Sequence, residues 1–482
     1  MQDVEWLEEV TIAQLQEKLQ NGELTSKELT FMYLRRIAVY DKKINSILEV
    51  NPDALQIAEA LDAERQEKGS RSLLHGIPIL IKDNIDTHDK MHTSAGSLAL
   101  KDSYAPSDSY VAAQLRKAGA VILGKTNMTE WANFMTIGMK NGYSSRGGQV
   151  LNPYGPGRFD VGGSSSGSGA AIAANFAAAA VGTETSGSIL NPACNNSLVG
   201  IKPTVGLISR RGIIPIAHSQ DTAGPMARTV ADAATLLTAL NGIDEQDPIT
   251  KTNPLTSLDF TKHLQKDGLN GKRIGIAFAG FIEFLPKEKQ AVVRDAIEVL
   301  KTTGAEVIDN IEIPSAKKQW SYDVLTYEFK PDLNAYLSRL HPSVKVRTLA
   351  DLIEFNKQHE AKMLKYGQAV LLEAEETSGS LTEVAYMEAL VDDQYYAKQQ
   401  GIDYALEKYN LEIIVFPGDE GSHISAKAGY PSIAVPAGYT MEGEPVGITF
   451  AGPAYSEPQL IEAAYAFEQA AGFRKPPILE QE

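Results

Sequence analysis

Apolar residues along this chain follow two rhythms. Runs of four to seven consecutive apolar residues recur between turn formers. Between those runs, apolar residues return every third or fourth position. The first pattern predicts buried strands and the second predicts helices. Thr11-Ile12-Ala13-Gln14 fits a capping box, and Asn21-Gly22 fits the end of that helix. A second helix opens at Thr25-Ser26-Lys27-Glu28 and runs to about residue 40, and a third, amphipathic one spans 52–67. Residues 75–81 form the first strong strand, which ends at Lys82-Asp83-Asn84. A lysine so placed ordinarily snorkels to solvent.

A helix at 109–118 is stopped by Gly119 and followed by a strand at 120–123. Residues 170–177 (Ala-Ala-Ile-Ala-Ala-Asn-Phe-Ala) predict a short buried helix, because alanine favours helix and packs closely. A buried strand at 178–183, a tight loop at 184–187 and the first turns of another helix at 188–194 follow. The core continues through 199–203 and 212–215, then a helix at 229–241. Residues 242–271 are rich in turn formers and predict a boundary between two lobes. A strand (273–277), a helix (289–302) and a strand (305–309) come next. Residues 314–400 are helical in pattern and dotted with Trp320, Tyr322, Tyr327, Phe329, Tyr336, Tyr366 and Tyr386. These aromatics fit either a packed core or a cap over a substrate cleft. Strands at 413–416 and within 428–451, and a last helix from Ser456 to about 470, complete the chain. Strands separated by helices throughout argue for an α/β sandwich.

Composition narrows the function. With 43% hydrophobic and 22% charged residues in 482, the chain has an ordinary globular make-up, long enough for several domains or one large one. A formal net charge of -16 disfavours nucleic acid as a general partner. The single cysteine, Cys194, rules out an internal disulfide, fits a reducing compartment and reads as a small packed residue. The acidic start, Met1-Gln2-Asp3-Val4-Glu5-Trp6, shows no signal peptide, so a cytoplasmic location is expected, although a secreted mature form would look the same. The small-apolar run 169–182 is interrupted by Asn175 and is too short to span a bilayer.

The candidate chemistry centres on Gly162-Gly163-Ser164-Ser165-Ser166-Gly167-Ser168-Gly169 and on Gly182-Thr183-Glu184-Thr185-Ser186-Gly187-Ser188. A flexible linker is the plain reading of the first, but it runs directly into apolar helix and strand. The two loops are joined by one compact helix–strand unit, and Ser188 is the candidate nucleophile. Two motifs mislead. Gly119-Ala120-Val121-Ile122-Leu123-Gly124-Lys125-Thr126 matches the phosphate-loop pattern, but its middle is itself the strand. Gly163-Ser164-Ser165-Ser166-Gly167 matches Gly-x-Ser-x-Gly, which would make Ser165 a nucleophile served by an Asp and a His. No strand precedes it, because Pro153, Gly155, Pro156 and Gly157 break pairing. His218, His341, His359 and His423 remain as bases for such a triad, none with a supporting pattern. No His/Cys/Asp/Glu cluster has metal-ligand spacing.

These residues carry a resemblance. The two glycine-serine stretches, with Lys82-Asp83-Asn84 upstream, resemble the amidase signature family, and the likeness covers nearly the whole chain, including Gly124-Lys125-Thr126-Asn127 and Gly429-Tyr430-Pro431-Ser432. The stretch from Asn196 to Leu207 and Gly224-Pro225-Met226-Ala227-Arg228 are most similar to the bacterial peptide amidases. The resemblance implies a single domain over 5–475 with a large twisted mixed sheet sandwiched by helices, 314–400 forming a helical cap. It implies an amidohydrolase with a Ser-Ser-Lys triad: Ser188 as nucleophile, Ser164 after a cis peptide bond as bridge, Lys82 as base. Thr185, Ser186 and Gly187 supply the oxyanion and substrate loop, with Ser188 opening a helix whose positive end favours the charge. No cofactor or metal is implied. Expected partners are a small-molecule or peptide amide, with no nucleic acid and no membrane, the chain acting as monomer or homodimer. The family's glutamine-handling subunits usually carry Arg two positions after the nucleophile; Leu190 stands there instead and suits a neutral amide. The alternative readings are a Ser-His-Asp esterase and a glutamine amidotransferase A-type subunit working in a complex.

Overall fold

The computed structural model describes residues 5–479. Residues 1–4, on which the reading of no signal peptide partly rests, lie outside them. Eleven strands form one mixed sheet. They are β1 (Ile47–Val50), β2 (Pro78–Lys82), β3 (Val121–Thr126), β4 (Ala179–Glu184), β5 (Val199–Lys202), β6 (Thr222–Ala227), β7 (Arg273–Ile276), β8 (Glu306–Ile308), β9 (Ile413–Pro417), β10 (Ser432–Tyr439) and β11 (Pro445–Ala451). Across the sheet they run β1-β3-β2-β4-β6-β5-β10-β11-β9-β7-β8. Parallel pairs lie towards both edges (β3-β2-β4 and β9-β7-β8), joined by antiparallel pairs in the middle. Every residue of β2, β3 and β4 is buried, as strands with both faces covered must be.

Most apolar runs became the expected strands. β6 is the central strand that the pattern hid, because Gly224 and Pro225 argue against one. Its ladder with β5 stops at Met226, so the missing N–H of Pro225 costs no bond there. At Gly224 a Cβ would lie 2.0 Å from the Ile201 carbonyl oxygen, so the strands approach as only glycine allows. The alanine-rich helix is Ser166–Ala173, starting four residues earlier than expected. The loop serines build its first turn, with Ser166 Oγ donating to Gly162 O at 2.6 Å. The linker reading therefore fails: residues 164–173 are buried.

The turn-rich stretch 242–271 does not divide two lobes. Phe260 and Leu269 are fully buried in the same apolar cluster as Leu240 and Ile274, and strands on both sides of it join one sheet. Residues 314–400 form helices Asp323–Ser338, Leu349–Gln358, Ala369–Glu376 and Val384–Ala397, with shorter turns between. They share a second core with Trp131 and Phe134 of the body. Phe329, Tyr336 and Tyr386 belong to that core, whereas Tyr322 is 54% exposed. Among the described residues no helix is long and apolar enough to cross a membrane.

Gly224→Ala is expected to destabilise the fold by about 1–3 kcal/mol, the usual cost of forcing atoms into a packed interior. Urea unfolding should show a lower midpoint at unchanged slope. An unchanged midpoint contradicts the close approach of β6 to Ile201.

Candidate active site

The parallel neighbours β2 and β4 end side by side, and carboxyl ends of strands are where open α/β sheets place ligands. β2 ends on Lys82 and β4 on Glu184. Lys82 does not snorkel to solvent: it is fully buried, under the helix Ser166–Ala173 and between two strands. Its Nζ lies 2.8 Å from Ser164 Oγ, 2.9 Å from Thr183 Oγ1 and 3.3 Å from Thr183 O. Burial pushes the ammonium down to about 7; the charges of Glu184 and Asp221 pull the other way.

Ser164 sits where the glycine-serine loop turns inward. The Gly163–Ser164 peptide is cis, as the resemblance implies. The Gly163 N–H donates to Asn191 Oδ1 at 2.9 Å, and Ser164 O accepts from the Thr129 N–H at 3.0 Å. Ser165 fastens this loop to the other one. Its N–H donates to Ser188 O at 3.2 Å, and its hydroxyl donates to Thr183 O and accepts from the Thr183 N–H. With that hydroxyl buried and engaged by backbone, Ser165 is not poised as a nucleophile. Among the described residues no hydrogen bond joins it to a histidine.

Ser188 lies beside the cis-peptide loop and is 8% exposed. Its hydroxyl has no hydrogen-bond partner among the described residues. The structure thus forms the Lys82–Ser164 link and leaves the Ser164–Ser188 link open. Such contacts are often long before substrate binds and tighten in the complex. Ser188 also does not open a helix. The helix is Leu190–Asn195, and the N–H groups of Ile189 and Leu190 are bound by the Glu184 carboxylate at 2.7 and 3.0 Å. The positive end of that short helix is spent on Glu184 rather than on the reacting centre.

The loop before Ser188 is held from both flanks. Thr185 Oγ1 donates to Asp221 at 2.5 Å, and Thr185 O accepts from Gln220 Nε2 at 3.1 Å. Burial raises the Asp221 carboxyl to about 7 against hydrogen bonds from Thr185, Ile216 and Ala217. On the other flank Ser186 Oγ lies 2.8 Å from His423 Nδ1. Gly187, at φ +84°, leaves a Cβ only 3.2 Å from Ser422 Oγ. The N–H groups of Ser186 and Ser188 find no acceptor among the described residues.

Asp221 is a site residue that sequence reasoning missed, and Thr183, Glu184 and His423 take roles that it did not assign to them. His423 rides a helix, Ser422–Ala428, that no pattern announced. The other histidines stand apart. His218 lies 2.9 Å from Asp332 and 3.5 Å from Glu328, a convergence made by the fold rather than by spacing. The acids there already accept from Ser219 N–H, Tyr386 O–H and His218 N–H. His341 bonds Ser343, and His359 stacks on Phe355. Lys125 is buried within β3, its Nζ on Ile85 O and Thr93 Oγ1, in no phosphate loop.

The profile of the Amidase family matches residues 28–461. The chain belongs to the amidase (amidase signature) family. It is an enzyme that hydrolyses amide C–N bonds. Among solved structures, the peptide amidase from Stenotrophomonas maltophilia superposes on this amidase with a TM-score of 0.92 at 44% identity, covering 98% of this chain and 99% of that one. A probable amidase of Arabidopsis thaliana is 42% identical over 98% of this chain and 92% of its own length. The A-type subunit of the glutamyl-tRNA(Gln) amidotransferase of Thermoanaerobacter pseudethanolicus is 32% identical over 97% of this chain and 98% of its own.

A buried lysine that sheds its proton on folding leaves a pH signature. Between about 7 and its ordinary 10.5 the unfolded chain binds the extra proton, so the contribution of Lys82 to stability rises with pH there. The stability of Lys82→Met relative to wild type is therefore expected to be higher at pH 6 than at pH 10, read by urea unfolding at both. An equal difference at the two pH values contradicts the depressed pKa.

Proposed function

We propose that this amidase cleaves peptide C-terminal amides or other neutral carboxamides to carboxylate and ammonia, through an acyl-enzyme on Ser188. One observation carries the reading: a lysine removed from water sits 2.8 Å from the hydroxyl of Ser164, on the loop that abuts Ser188. A serine hydroxyl attacks poorly until a base takes its proton, and lysine serves only when neutral. A neutral Lys82 donates its two N–H bonds to Thr183 and turns its lone pair to Ser164. Ser164 then passes its proton to Lys82 and takes one from Ser188 as the latter attacks the amide carbon. The same relay run backwards protonates the departing nitrogen, which leaves as ammonia. Water repeats the attack on the ester and frees the carboxylate and Ser188.

The oxyanion meets the backbone N–H groups of the loop that are left without an acceptor, those of Ser186 and Ser188, which the ties to Asp221 and His423 hold in place, while the expected Gly187 N–H is engaged by the Glu184 carboxylate. One such donor is typically worth about 3–4 kcal/mol of barrier. The likeness to a peptide amidase and the apolar Leu190 both favour a neutral amide over glutamine, so the amidotransferase reading has less support. The Ser-His-Asp reading has none, since Ser165 is engaged by backbone. Helix Asp323–Ser338 reaches both flanks of the loop, through Glu328 to Ser219 and, from Tyr322 at its N-terminal cap, to His423, which supports 314–400 as the cap over the cleft. The buried lone Cys194 fits the cytoplasm, and the chain works as monomer or homodimer.

Ser188→Ala is expected to cut kcat for ammonia release about ten-thousandfold with the fold intact. Near-wild-type turnover by that variant contradicts the proposal. For the wild type, log kcat/KM should fall with unit slope as pH drops below about 7, where Lys82 takes its proton. A profile flat from pH 5 to 9 contradicts Lys82 as the base.

A further inference from the structure

Beside helix Val384–Ala397 lies a groove of about 820 Å³. On one wall Val384, Met387 and Val391, three and four residues apart on one helix face, expose 72%, 49% and 63% of their surfaces. Apolar side chains gathered on one exposed helix face offer a surface that a ligand's apolar groups can cover. Lys318, Ser321 and Asp323 line the groove from the facing segment. Between the last two stands Tyr322, whose ring meets that of His423 edge-on at 6.4 Å. His423 in turn bonds Ser186, two residues before Ser188.

Both walls are fixed to the helix that carries His423. Asp393, in the groove lining, pairs with Lys427 at 2.5 Å, and Lys427 Nζ also donates to Ser321 O at 3.1 Å. Gln394 Nε2 donates to Lys427 O at 2.6 Å. The groove walls are thus tied to the catalytic loop through Tyr322, His423 and Lys427. Its rim carries both signs, with Lys318 paired to Asp392, so its selectivity lies in its apolar wall.

We propose that this groove is the acyl-side subsite for the apolar residues of a peptide amide, upstream of the scissile bond. The proposal rests on the function argued above: when ammonia leaves, all the rest of the substrate lies on the acyl side. An extended peptide advances about 3.3 Å per residue, so each added upstream residue carries the chain further from the scissile bond, past Tyr322 towards Val384 and Val391.

The test is kcat/KM, by ammonia release, for peptide amides of two to six residues with one C-terminal residue and either Leu or Ser at the upstream positions. The expected result is a rise with length for the Leu series, about tenfold over the Ser series and carried by KM, the order for burying one apolar side chain. The double variant Val384→Ser, Val391→Ser should lose that gain and keep wild-type kinetics on the dipeptide amide. Turnover of the dipeptide amide with no gain from length or Leu, or a gain that survives in the double variant, overturns the groove alone. No turnover of any peptide amide overturns both the groove and its substrate class. A dimer in gel filtration that the double variant dissolves assigns the face to a second copy and overturns the groove as a subsite.

Discussion

The proposed mechanism depends on keeping one amine out of water. In solution a lysine is an ammonium and cannot accept a proton at neutral pH. Here the end of β2 carries Lys82 into a space closed by the helix Ser166–Ala173 and by β4, where it has no exposure. Desolvation disfavours the charged form, and the acids within reach are themselves pushed towards neutrality by burial, Asp221 to about 7. Had either stood as a full, close counter-ion, Lys82 would stay protonated and could not act as the base proposed for it. The alanine-rich stretch is what makes the closure possible, because small side chains let the helix press onto the sheet.

Around that amine, polar groups are spent on holding backbone still. Glu184 caps the helix after Ser188 rather than serving the reaction, Ser165 stitches the two serine loops together, and Asp221 and His423 grip Thr185 and Ser186 from opposite flanks. A donor fixed before substrate arrives stabilises developing charge without having to reorganise. The helical segment 314–400 shares its core with Trp131 and Phe134 of the body, and it reaches the same loop by two routes.

How much of this was legible follows from what each signal measures. Short apolar runs gave the strands around Lys82 because burial on both faces leaves a plain mark in sequence. The resemblance to the amidase signature family singled out Lys82 and Ser164, since read alone Lys82 is a strand-end lysine that snorkels and the loop residues offer only Ser188 as a candidate nucleophile. β6 was hidden because its Gly224 and Pro225 answer to neighbouring backbone rather than to strand propensity. The division at 242–271 was misread, for turn formers show where the chain bends but not whether Phe260 and Leu269 then rejoin the core. The loop-holding roles of His423 and Asp221 were invisible because they come from tertiary contacts hundreds or tens of residues away along the chain.

The central claim is that Lys82 is an uncharged amine in the folded enzyme at neutral pH. NMR titration of protein labelled with ¹⁵N at lysine Nζ, with the Lys82 signal assigned by its loss in Lys82→Met, reads that protonation directly. A midpoint near 7 is the expected result; a midpoint at 10 or above contradicts the account.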